Sequence, residues 1–156
     1  FNLRWLEEPL QAHRMDGHAT LRDSTDVPIA AGEREYTRRG FHELFQRDAI
    51  DVAQPDPMWG GGITESTKIC SLGDVYDVPV IPHGYSVPVN VQLSAAQPPT
   101  VTPMVEYLVK WNVGLQFFFE KPVEPDEGTF GLPTESGLGV RLDTGKIDER
   151  TPIRLA

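Results

Sequence analysis

The stretch Val27-Pro28-Ile29-Ala30-Ala31-Gly32-Glu33 decides how this chain is read. A short apolar run is broken by a glycine and ends on an acid. Similar runs flank it on both sides. Leu3-Arg4-Trp5-Leu6 ends on Glu7, and Ile50-Asp51-Val52-Ala53 leads to Asp56. Val78-Pro79-Val80-Ile81 leads to His83, and Pro103-Met104-Val105 leads to Glu106. The gaps between the five polar residues are 26, 23, 27 and 23 residues. About two dozen residues is the length of one strand, one crossover helix and two short loops. A parallel sheet built this way brings the C-terminal ends of its strands to one side of the molecule. Barrel enzymes hold their chemistry there. The repeat therefore predicts an α/β fold, a parallel (β/α) barrel portion, with four acids and one histidine converging on a metal-assisted acid/base centre.

The intervals between the runs carry helical signals. Met15 to Ser24 is weakly helical. In Thr37 to Arg47, Phe41, Leu44 and Phe45 stand at i, i+3 and i+4 and form one apolar stripe. Gly60-Gly61-Gly62 is a loop, and Ile63 to Tyr76 reads as a helix with Ile69, Leu72 and Tyr76 on one face. Glu65 is favourably placed near that helix's positive end. Val87 to Ala96 is a short helix stopped by Pro98 and Pro99. After Lys110 the pattern changes to a dense apolar run and then to proline- and glycine-punctuated pieces. The expected organisation is a barrel portion over 1–111 and an irregular, partly β tail over 112–156. That tail packs on the barrel or on a missing N-terminal capping domain. The chain opens at Phe1, inside a strand-like run, so the expectation is a larger protein.

Composition bounds the partners. The 156 residues suffice for one domain with a sizeable core, and 39% hydrophobic content is that of a globular protein. A net charge of −9 argues against nucleic acid and anionic membranes. No apolar stretch reaches the ~18 residues of a membrane span. The single cysteine, Cys70, allows no internal disulfide and fits a reducing, cytoplasmic setting.

Carboxylates on neighbouring strand ends, Glu7 and Glu33, suit a hard oxygen-seeking cation such as Mg²⁺. Two are a poor site, so a third ligand is expected from a strand before Glu7. An Asp one strand from a His can accept its Nδ1–H and raise its basicity, which suits Asp56 and His83. Glu106 can hold a substrate oxygen or, with a raised pKa, donate a proton. Taken singly, Glu7, Glu33 and Glu106 each read more readily as solvated surface acids; the shared register argues for the set. His13, His18 and His42 fall outside it and read as hydrogen-bonded loop residues.

Trp5-Leu6-Glu7-Glu8-Pro9, Ala31-Gly32-Glu33, Gln54-Pro55-Asp56 with Gly60-Gly61-Gly62 after it, Pro82-His83-Gly84 and Val105-Glu106-Tyr107-Leu108 follow one another in order. Together they resemble the C-terminal half of an enolase-superfamily barrel of the mandelate racemase subgroup. Acid-sugar dehydratases of the L-rhamnonate type are most similar. The resemblance implies the last five strands of an enolase-type modified TIM barrel. It implies Mg²⁺ held by Glu7 and Glu33, a His83–Asp56 dyad, and Glu106 bonded to the developing enolate. His83 then takes the proton α to a carboxylate and returns it to a departing β-hydroxyl. The expected activity is a Mg²⁺-dependent sugar-acid dehydratase, acting as a homo-oligomer. Arg34 stands where similar members have His and faces the site, as a substrate-binding candidate or a plain surface Arg. A racemase or epimerase would need a second base outside this chain. A barrel fragment with an incomplete metal site, or a flavodoxin-like binding domain, is the alternative from another class.

Overall fold

A computed structural model describes residues 1–152. The elements in order are β1 (Leu6–Glu7), α1 (Met15–Asp23), β2 (Ile29–Ala31), α2 (Thr37–Gln46), β3 (Val52–Ala53), α3 (Gly62–Val75), α4 (Val87–Ala95) and α5 (Val109–Leu115), then a 3₁₀ turn at Thr144–Lys146. The three strands form one parallel sheet in sequence order. Leu6 stands opposite Ile29 and Glu7 opposite Ala30; Ala30 stands opposite Val52 and Ala31 opposite Ala53.

The expected fourth strand is reduced to a single bridge between Ala53 and Val80. Ala53 N–H donates to Pro79 O at 2.9 Å and Ile81 N–H to Ala53 O at 2.8 Å. Pro79 and Pro55 have no N–H, so the regular ladder is interrupted on either side of this bridge. The fifth run, Pro103-Met104-Val105, is not a strand. The chain meets the sheet earlier, where Val101 O accepts from Val80 N–H at 2.8 Å.

Side chains alternate between the two sheet faces. Ala30, Val52 and Ile81 pack with Trp5 and Met104 on the inner face. Ala31, Ala53 and Val80 pack on the outer face beneath Phe41, Leu44, Phe45, Ile69 and Cys70. Both faces of a parallel sheet must be covered, which is why these strands read as continuous apolar runs. The Phe41, Leu44 and Phe45 stripe of α2 is fully buried there. Tyr36 gives α2 no side-chain cap. Glu65 of α3 supplies one, accepting from Arg38 N–H at 3.0 Å and Arg38 Nη1 at 2.7 Å. These hydrogen bonds, chiefly that from the Arg38 backbone, hold the Glu65 carboxyl below its usual range.

Two expectations need correction here. A helix, α5, crosses residues 111 and 112, where an irregular segment was expected. Its inner side is fixed by buried amides instead of an apolar stripe, so it left no periodic signal. Asn112 Nδ2 donates to Gly84 O at 3.1 Å, and Gln116 donates to Val123 O at 3.0 Å while accepting from Val123 N–H at 2.7 Å. His18 is a buried residue of α1, and neither ring nitrogen has a partner among the described residues. Burial lowers its pKa. The tail is partly β, with isolated antiparallel bridges at Phe119–Leu142 and Asp126–Thr129. No helix among the described residues is long and apolar enough to cross a membrane.

Candidate active site

Glu7 ends β1 on the inner face, opposite Ala30. Glu33 follows Gly32, whose φ is 137°. A Cβ on Gly32 would lie 2.6 Å from Phe41 Cε1, so only glycine fits between the sheet and α2. Asp56 is fully buried after β3, and its Oδ1 accepts from Met58 N–H at 2.8 Å. His83 N–H donates to Pro55 O at 3.0 Å, which sets the two neighbouring strand ends side by side. Asn90 Nδ2 holds the His83 carbonyl at 2.6 Å. Gly84 N–H donates to Glu106 Oε2 at 2.7 Å. Gly84 is close-packed too: a Cβ there would come 3.1 Å from Glu106 O.

The five register residues meet at one end of the sheet. His83 Nδ1 lies 3.1 Å from Asp56 Oδ2, and its Nε2 lies 2.8 Å from Glu33 Oε2. A neutral imidazole has one N–H, so only the imidazolium donates to both carboxylates at once. Burial lowers the His83 pKa, but the hydrogen bond to Asp56 and the charges of Glu106, Glu33 and Asp56 together carry it above the usual value. The Glu106 carboxyl is pushed up, first by burial and then by the charge of Glu7; Gly84 and His83 pull the other way, and Glu33 adds to the rise.

Ligand atoms of Glu7, Glu33 and His83 all lie within 4.8 Å of one another. With the nearby carboxyls of Glu8 and Glu106, this concentrates negative charge around two carboxylates that a hard cation prefers. The oxygen-rich donor set therefore fits Mg²⁺. His83 already has Nδ1 committed to Asp56. A cavity of about 340 Å³ opens over Glu33, Asp56 and His83, and its rim includes Arg34, Trp59 and Tyr85. The edge of Tyr85 meets His83 with ring centroids 4.9 Å apart.

Arg34 lines that cavity, yet two of its nitrogens are engaged by acids. Nη1 lies 2.5 Å from Glu8 Oε2 and Nη2 lies 3.0 Å from Glu33 Oε1. Sequence reasoning gave no role to Glu8, Gln54, Tyr85 or Asn90. Gln54 Nε2 donates to Glu7 Oε2 at 3.1 Å. Its one available signal was position, two residues past Val52 and so on the inner face.

The family model described as enolase C-terminal domain-like matches residues 1–146. An arabinonate dehydratase of Saccharolobus solfataricus is 35% identical over 149 residues, covering 93% of this chain and 39% of that protein. A D-galactarolactone cycloisomerase of Agrobacterium fabrum is 28% identical over 159 residues, covering 96% of this chain and 42% of that protein. The crystal structure of an L-talarate dehydratase from Polaromonas sp. JS666, complexed with Mg and L-glucarate, superposes with a TM-score of 0.79. It is 35% identical, over 90% of this chain and 38% of that one. The chain thus spans about two fifths of the length of these relatives.

Proposed function

This chain belongs to the enolase C-terminal domain-like family, and from that premise we propose that the complete protein is a Mg²⁺-dependent sugar-acid dehydratase. The observation that carries the reading is the line Asp56–His83–Glu33, with both ring nitrogens of His83 within 3.1 Å of a carboxylate at the edge of an open cavity. Glu7 and Glu33 would hold the ion, with a third ligand from outside this chain. When bound, Mg²⁺ supplies positive charge beside the substrate carboxylate and makes the α C–H more acidic.

The remaining chemistry belongs to the chain's own side chains. Asp56 keeps the proton on Nδ1 and directs Nε2 at the substrate. In its neutral form His83 takes the α-proton on Nε2. The same Nε2–H is then delivered to the β-hydroxyl, whose C–O bond breaks as the new C=C bond forms. One water leaves, and the enol product tautomerises to a 2-keto-3-deoxy acid. Burial raises the Glu106 pKa, and in its protonated form Glu106 donates to a carboxylate oxygen of the substrate as negative charge develops there. Arg34 adds a donor at the cavity rim for a hydroxyl or a second carboxylate.

The substrate class is a sugar acid. L-Rhamnonate is the acid suggested by the sequence, and the relatives' names add arabinonate and talarate. A cytoplasmic homo-oligomer is part of the same proposal. The test is a screen of the complete protein against a sugar-acid library, read as 2-keto product with Mg²⁺ and with a chelator. Mg²⁺-dependent product from at least one acid is expected; none from any acid would remove the dehydratase reading.

A further inference from the structure

We propose that Gln54 is a positioning residue for Glu7. This rests on the reading of Glu7 as a cation ligand. The geometry begins with strand register. Glu7 stands opposite Ala30 and Ala30 opposite Val52, so the three share the inner face. Gln54 is two residues past Val52 and points the same way, one step nearer the site. Its backbone N–H donates to Ala31 O at 3.0 Å, which keeps it in the ladder.

β1 and β3 lie two strand spacings apart, about 9.6 Å. A glutamine and a glutamate can meet across that gap only if the strand between them is low. Here β2 presents only the methyl of Ala30 on that face, and Gln54 Nε2 reaches Glu7 Oε2 at 3.1 Å. The amide orientation is fixed by chemistry: a carboxylate accepts and does not donate, so the NH₂ end must face Glu7. One Glu7 oxygen is tied down, and the rotation of the carboxylate about its last bond is restricted.

Gln54 is 1% exposed, and its Oε1 has no partner among the described residues. Burying an unpaired amide oxygen is costly, and an apolar residue would fill the same space without that cost. The polar choice is therefore explained by what Gln54 does to Glu7 and not by packing. Groups that orient a metal-binding side chain typically change metal affinity about 10–100-fold when removed.

The experiment uses the complete protein with Gln54→Met, which keeps the length and removes the donor. Mg²⁺ affinity is measured by titration calorimetry, alongside the Tm of the metal-free protein and a parallel Glu7→Gln variant. The expected result is a Kd for Mg²⁺ raised about 10–100-fold, with the metal-free Tm unchanged or higher. Unchanged affinity in Gln54→Met while Glu7→Gln weakens binding would overturn the positioning role alone. A loss of affinity accompanied by a clear fall in metal-free Tm would overturn it too, since that marks a structural residue. Unchanged affinity in Glu7→Gln would remove Glu7 as a ligand, and with it this inference.

Discussion

Replacing Asp56 with Asn in the complete protein tests the dyad at its most buried point. Asp56 is inaccessible to solvent and uses both oxygens, one on Met58 N–H at 2.8 Å and one on His83 Nδ1 at 3.1 Å. Asn can keep the Met58 contact through its single oxygen. Its NH₂ group then faces Nδ1, where the carboxylate had been. Two donors cannot share that contact, so the ring proton moves to Nε2 and the basic lone pair turns away from the cavity. Restoring the working tautomer means giving up the Nε2–H hydrogen bond to the charged Glu33, worth about 1.5–3 kcal/mol, or roughly 10–150-fold in population. Loss of general-base catalysis altogether sets the outer limit, about 10²–10⁴-fold. The His83 pKa also falls, because burial lowers it and the Asp56 contribution that offset burial is gone. Two assays are needed: kcat against pH, and the imidazole tautomer by long-range ¹⁵N NMR. The expected result is a kcat at least about tenfold lower, a limb on the acid side moved to lower pH, and a proton on Nε2. Retained kcat with the proton still on Nδ1 would refute the reasoning.

Other perturbations follow from the same geometry. Glu106 has a folded pKa above its unfolded value, chiefly through burial, so its contribution to stability is fully present below the unfolded value near 4.5 and is lost as pH rises through the folded value. Glu106→Gln should therefore melt higher than wild type at pH 8 and lose that advantage below pH 4.5 as read by calorimetry, whereas a variant that melts lower at pH 8 would contradict the raised pKa. Gly32→Ala places a Cβ 2.6 Å from the buried Phe41 ring at a φ of 137°. Overpacking of this kind costs about 1–3 kcal/mol and backbone strain about as much again, so the denaturant midpoint should drop clearly, and an unshifted midpoint would show that Phe41 can yield.

Much of the architecture could be read from the chain, and the physical reasons for the gaps differ. The helical stripe of α2 and the limits of α1, α3 and α4 followed from apolar spacing and proline stops. The meeting of Glu7, Glu33, Asp56, His83 and Glu106 at one end of the sheet followed from a regular interval between strand ends. Strand regularity did not follow, because Pro55, Pro79 and Pro103 remove the donors that a ladder needs while leaving an apolar run in the sequence. α5 was invisible because Asn112 and Gln116 hold it in place, and polar anchors leave no hydrophobic period. Glu8 and Gln54 carry partners that depend on reach across strands, which no linear spacing reports. His18 looked like a loop residue, yet it is a buried ring with no hydrogen-bond partner among the described residues.

The central claim is that His83 is the base that takes the α-proton of a sugar acid. It is tested most directly by exchange of that proton in D₂O, catalysed by the complete protein carrying His83→Asn, with Mg²⁺ affinity measured on the same sample. The account predicts that exchange is abolished while Mg²⁺ binding is nearly unchanged. Exchange at the wild-type rate would contradict it.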